Sequence, residues 1–306
     1  MGRPALGGGF QMPRFWRQWL LTASIIVYAV VCIVMVALAN AILPGPAGPA
    51  ISDLVEVRAA SFTHRSSGEF TRDGRVVTAP LVTVTIPHTL AIMRHQVSAA
   101  EYRRCVEAGA CERDRIDNDL AAANRPIVKV SWRDAEAYAA WLSRETGEHY
   151  RLPTDEEWAY AAASRFKDDA IPDTDDPGQR ALGIYARDRD GDVDREPQPI
   201  GTFGANENGL VDVAGNVWEW TETCFTRSAV DGRGETVAST VHCGVRVVEG
   251  RHRAYMTDFV RDARSGGCSA GVPPINLGFR LVRDDDDSRW RPLGRLIVQA
   301  QRLATR

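Results

Sequence analysis

The sequence predicts an α+β domain of low regular secondary structure, preceded by one membrane-spanning helix. Three observations predict it. Residues 19–43 carry no charge. Beyond them, three helix starts, each with its own capping box, are interspersed with β-branched and turn-rich stretches. The 8 Trp and 26 Gly in 306 residues suit a loop-rich fold with aromatic cores better than a helical bundle.

Residues 1–18 form a short N-terminal segment holding Arg3, Arg14 and Arg17 and no acid. The apolar run that follows, WLLTASIIVYAVVCIVMVALANAIL, opens at Trp19 and closes at Leu43. It is long enough to cross a hydrocarbon core as a helix, and a helix satisfies its own backbone there. The first charges after it are Asp53 and Glu56. That asymmetry places the N-terminus in the cytoplasm and the bulk of the chain in the periplasm, as a single-pass protein of the inner membrane. Trp16 and Trp19 suit the lipid interface. Ala39-Asn40-Ala41 also resembles a signal-peptide cleavage site, and both readings leave the domain on the same side.

PGPAGP (44–49) reads as a stiff spacer, and 44–80 as a whole as linker and N-terminal extension. LVTVTI (81–86) alternates and is β-branched, so it predicts a strand. Ser98-x-x-Glu101 opens a helix that ends near Gly109. Ser131-x-x-Asp134 opens one that runs through Leu142 to Gly147, with Ala135, Tyr138, Ala139 and Leu142 on its buried face. Thr154-x-x-Glu157 opens a shorter one through Ala163. Residues 165–209 read as loop, and from Leu210 short apolar pieces alternate with turns. A domain over 81–283 is followed by a charged C-terminal tail, 284–306. The net charge of -3 gives no basic footprint, which excludes nucleic acid as a partner class.

Five segments together resemble the formylglycine-generating enzyme (sulfatase-modifying factor) family: HQVSAAEY (95–102), PIVKVSWRDAEAYAAWLS (126–143), YRLPTDEEWAYAA (150–162), NGLVDVAGNVWEW (208–220) and NLGFRLVR (276–283). Their order matches the family's, over about residues 81–283. The resemblance implies a C-type-lectin-like fold and an oxidative modifying activity. It also implies a structural calcium, held by the carboxylates of Asp212 and Glu219 and the carbonyls of Gly215 and Val217. Gly215 lets the backbone turn sharply there. A turn stapled by Asp-to-amide hydrogen bonds is the other reading of the same residues. Asp188, Asp190, Asp192 and Asp194 alternate around Gly191 and form a second calcium candidate or a solvated acidic loop.

By the same resemblance, Cys105 pairs with Cys111 and Cys224 with Cys243, in keeping with an oxidising compartment. Cys32 lies in the membrane run, and Cys268 is left over. The family's enzymes bind copper(I) through two cysteines near a Gly-Gly-Ser segment. Here that segment is EGRHRAYMTDFVRDAR (249–264), which has no Cys. Iron-dependent relatives use a three-histidine set, and His64, His88, His95, His149, His242 and His252 do not show its spacing. Neither copper nor iron is therefore expected. The charged residues that replace the cysteines, Arg251, His252, Arg253, Arg261 and Arg264, together with Cys268, are candidates to line a groove for an anionic group or a peptide. A salt-bridge lattice is the structural alternative. Three functions follow. The chain is a modifying factor acting on an extracytoplasmic protein or peptide, a non-catalytic binding module using the same groove, or an envelope structural protein.

Overall fold

The computed structural model describes residues 53–112, 123–170, 196–257 and 276–284, together with a few positions between 178 and 186. The chain divides into two compact units, Met1–Gly48 and Pro49–Arg306, and all described residues lie in the second. The expected membrane run at 19–43 lies outside the described residues.

Strands come first: β1 (Leu54–Val57), β2 (Ala60–Arg65), β3 (Glu69–Arg72), β4 (Arg75–Val77), β5 (Leu81–Ile86) and β6 (Leu90–Met93). Three helices follow, α1 (Ala99–Glu107), α2 (Trp132–Thr146) and α3 (Asp155–Ala162), with the two-residue β7 (Tyr150–Arg151) between the last two. A long hairpin, β8 (Trp218–Val230) and β9 (Thr236–Glu249), leads to β10 (Ala254–Thr257), β11 (Leu277–Gly278) and β12 (Val282–Arg283). They build a four-stranded sheet β1-β6-β12-β7, a six-stranded sheet β10-β9-β8-β3-β4 with β11 parallel to β8, and the pair β2-β5. This is the α+β class that the sequence predicts.

All three helices start where the capping boxes lie. Ser98, Ser131 and Thr154 each accept from the amide three residues on, and Glu101, Asp134 and Glu157 each reach back to the cap's own amide. Each exchange satisfies two amides that a helix end leaves without an intrahelical partner. α2 stops at Gly147, whose φ of 76° suits a residue without Cβ. Ala135, Tyr138, Ala139 and Leu142 are all buried on its inner face. Tyr138 packs on Tyr102 of α1 and on Phe279, so the main core sits between the two longer helices and the segment after β11.

Two expectations need correction. Residues 54–77 are not a linker but supply four strands: β1 pairs with β6, β2 with β5, and β3 with both β4 and β8. Each is short and carries charged residues on its outer face, which hides the period-2 pattern. Residues 218–249 are not short pieces but two long strands. β9 is exposed over residues 236–244, so most of its length has no apolar run to announce it.

Two contacts position the site. A Cβ on Gly278 would collide with the carbonyl of Ile127, so β11 can approach that loop closely only without a side chain. A Cβ on Gly250 would stand 2.8 Å from the Trp218 ring, which lets the chain turn directly over the indole after β9.

Candidate functional site

Two buried polar knots lie inside the domain, and the second fixes the segment around residues 249–257. The first is centred on Glu219, in β8. Its Oε1 accepts from Gln96 Nε2 (2.8 Å) and Arg280 Nη2 (2.8 Å). Its Oε2 accepts from Trp158 Nε1 (2.7 Å) and Arg280 Nε (2.6 Å). Glu219 and Arg280 are both fully buried, and the guanidinium also donates to the carbonyls of Met93, Arg94 and Val211. A carboxylate offers about four lone-pair sites, and these four donors take them.

Asp212 is engaged in a similar way. Its Oδ1 accepts from the amide of Phe203 (2.7 Å) and its Oδ2 from the amide of Gly201 (2.6 Å). The turn is the amide-stapled one. Its left-handed residues are Asp212, Ala214 and Asn216 rather than Gly215. Gly215 is needed for a different reason, because a Cβ there would stand 3.0 Å from the Phe203 ring. Calcium requires six to eight oxygens with free lone pairs, and a carboxylate filled by a guanidinium, an indole and an amide does not fit that role. Of the expected ligand set, Asp212, Gly215 and Val217 fall in the turn before β8 and Glu219 in β8 itself, and the two carboxylates are held by hydrogen-bond donors. The second candidate set, Asp188, Asp190, Asp192 and Asp194, lies outside the described residues.

The second knot is centred on Arg253. The sequence reading has this arginine lining a groove; the structure turns it inward and buries it completely. Its Nε donates to both Asp155 Oδ1 (3.2 Å) and Glu249 Oε1 (3.1 Å), and its Nη1 to the carbonyl of Arg65 (2.8 Å). Nη2 lies 3.0 Å from His64 Nε2, which is itself 3.0 Å from Asp155 Oδ2. Two anions around one cation cannot both stay charged in a dry site without cost, and the environment resolves this. Burial pushes the Asp155 carboxyl up, but the Arg253 charge and the His64 hydrogen bond outweigh it and hold Asp155 well below the usual carboxylate range. Burial, and then the charge of Asp155, push Glu249 well above that range. The two carboxyls are thus driven apart, Asp155 toward its ionised form and Glu249 toward its protonated one, and Asp169 Oδ1 also stands 3.5 Å from Arg253 Nη1. Burial works against the Arg253 charge, but Asp155 and Glu249 outweigh it.

The outer edge of this knot reaches partly exposed residues. Tyr255 donates to Asp169 Oδ2 (2.7 Å) and accepts from the amide of Gly68 (2.8 Å). Next to it, His252 packs edge-on against Trp218 with ring centroids 4.8 Å apart, and its Nδ1 lies 2.8 Å from the carbonyl of Arg253. Arg251 and His252 are half-buried. Arg261, Arg264 and Cys268, the remaining groove candidates, lie outside the described residues.

A separate groove of about 780 Å³ runs along α2, walled by Trp132, Ser143, Arg151, Thr154, Glu222 and Asp284 among others. Arg151 is committed inside it, to Glu157 through two bonds of 2.6 and 2.7 Å and to Asp284 at 3.4 Å. The four described cysteines form the two expected bridges, Cys105–Cys111 and Cys224–Cys243. Copper(I) needs thiolates, and sulfurs held in disulfides do not fit it.

Residues 44–285 match the sulfatase-modifying factor enzyme 1-like domain along their whole length. The chain belongs to that family. This sulfatase-modifying-factor-like domain is 40% identical over 127 residues to the formylglycine-generating enzyme of Mycobacterium tuberculosis, covering 38% of this chain and 40% of that one. It is 35% identical over 163 residues to the inactive C-alpha-formylglycine-generating enzyme 2 of Mus musculus, covering 51% of this chain and 48% of that one. The chain thus spans about half the length, or less, of these curated relatives. Among solved structures, that of PvdO from Pseudomonas aeruginosa aligns with 78% of this chain and 100% of its own, at 21% identity and a TM-score of 0.48.

Neither His64 nor Asp155 stands among the residues that the sequence reading selects for the site. One signal was available. Phe62 and His64 alternate on one face of β2, with ring centroids 5.5 Å apart, so an inward Phe62 carries His64 inward with it.

Proposed function

We propose that this chain is a membrane-tethered, extracytoplasmic sulfatase-modifying-factor-like domain that acts on an envelope protein, in that protein's oxidative modification or maturation. One observation carries the compartment: both disulfides of the described residues are formed within the fold, one at the end of α1 and one across the β8–β9 hairpin. Such bridges persist on the oxidising side of a membrane. The charge-free run at 19–43, with arginines before it and acids after it, supports the tether and its direction.

A second reading is a non-catalytic module that recognises a protein or ligand through the same face. It is favoured by one specific feature, that all four described cysteines are in disulfides and no copper chemistry fits them. Comparing the envelope proteins of cells with and without this chain by cysteine-directed mass spectrometry separates the two. The modifying reading predicts one target whose cysteine mass changes only when the chain is present. If no cysteine mass changes while a partner still co-purifies with the chain, the recognition reading takes its place.

A further inference from the structure

We propose that Cys224–Cys243 is a thiol–disulfide exchange site for a polypeptide bearing two neighbouring thiols, with Cys243 as the attacked sulfur and Cys224 as the leaving sulfur. The proposal does not depend on which envelope protein the domain serves.

The two bridges of this fold are built differently. Cys105 and Cys111 are both buried in the main core. Cys243 instead lies on the exposed half of β9 and Cys224 is half-buried, at a point where the β8–β9 register shifts on both sides of Cys224. Arg246 Nη1 stands 3.2 Å from Cys224 Sγ. Its guanidinium is fixed in that position. Nη1 also donates to the carbonyl of Glu222 (2.6 Å), and Cζ lies 3.7 Å from the centroid of the Trp132 ring. Trp132 is anchored in turn by its Nε1, which donates to the carbonyl of Thr221 (3.0 Å). A cation held against one sulfur of a disulfide favours that sulfur as thiolate, and the sulfur that makes the better thiolate leaves faster. Trp132 and Glu222, the two residues that hold the Arg246 guanidinium, also wall the 780 Å³ groove.

The step balances within the two molecules. A thiolate of the partner attacks Cys243 Sγ, and a partner–Cys243 disulfide forms. The Cys224–Cys243 bond breaks, and its electron pair leaves on Cys224 as a thiolate beside Arg246. The partner's second thiol, once deprotonated, attacks the partner sulfur of the mixed disulfide. Cys243 leaves as a thiolate, and Cys243 and Cys224 each take up one of the two protons released by the partner's thiols. The partner loses two electrons and two protons and gains an internal disulfide; Cys224 and Cys243 gain them as a dithiol.

The test equilibrates the full chain, in detergent, with graded dithiothreitol, then alkylates and maps each cysteine by mass spectrometry. Cys224 and Cys243 are expected to open together at about tenfold less reductant than Cys105 and Cys111, equivalent to about 30 mV for a two-electron couple. In a time course at one dithiothreitol concentration, Arg246→Met is expected to slow opening of Cys224–Cys243 by about tenfold while leaving Cys105–Cys111 unchanged, and Arg246→Lys to retain most of the rate. The wild-type order alone is decisive if the methionine variant does not fold. Equal opening of the two bridges, earlier opening of the buried one, or an unchanged rate in Arg246→Met overturns the proposal.

Discussion

Replacing Arg253 with methionine is expected to destabilise the domain by about 3–5 kcal/mol, read as a fall in the urea midpoint. The cause is not the loss of a favourable contact. Arg253 reaches both Asp155 and Glu249 through its Nε, and all three are fully buried. Without it, Asp155 keeps a buried charge with only the His64 imidazole beside it. Glu249→Gln tests the protonation state of the same cluster, because glutamine imitates a neutral carboxylic acid. It is expected to cost little at neutral pH.

The two variants also separate in pH dependence. Glu249 has a folded pKa raised above its unfolded one, so the folded state keeps a proton that the unfolded chain has released. Stability therefore falls as pH rises from the ordinary glutamate range toward the folded value. Asp155 has the opposite shift. Its contribution is present above the ordinary aspartate pKa and is lost as pH falls through the lower, folded one. Glu249→Gln is expected to flatten the slope on the high side and leave the acid side in place. A variant whose stability follows the wild-type slope on the high side contradicts the upward shift of Glu249.

Arg280→Met is expected to have a comparable effect, again about 3–5 kcal/mol. It removes two of the four donors to Glu219 and leaves a charged carboxylate inside the core. Glu219→Gln leaves the guanidinium buried with only carbonyl partners and is expected to be destabilising too. The double variant is expected to cost less than the sum of the two, because neither stranded charge remains. Additive losses in a double-mutant cycle contradict the pairing. The motifs that carry the family resemblance acquire a physical reason here. The Glu of the W-E-W element, the Arg of the closing G-F-R element and the Trp of the L-P-T-D-E-E-W element meet at one carboxylate.

What was legible in the sequence was local. Each capping box lies within four residues, so the three helix starts follow from Ser98, Ser131 and Thr154 alone. The buried face of α2 follows from its period. The strands of 54–77 are three to six residues long; β3 and β4 close on each other around Asp73-Gly74, but β1, β2 and the other edge of β3 take partners from further along the chain, such as Phe70 from Ser228, which no local pattern announces. The polar knots are hidden for the same reason. His64 and Arg253 are 189 residues apart in sequence, and a charged Arg251–Arg253 run reads as surface until the fold turns one member inward. The two disulfides agree with what the family resemblance implies.

Counting thiols on the full chain taken from its own membranes, under denaturing and non-reducing conditions, bears most directly on the claim that this domain works outside the cytoplasm. The account predicts that Cys32 and Cys268 are alkylated, that Cys105 and Cys111 are not, and that Cys224 and Cys243 are labelled only in the fraction of chains caught after exchange. Labelling of Cys105 and Cys111, whose bridge is buried in the core and takes no part in exchange, would place the domain in a reducing compartment and contradict it.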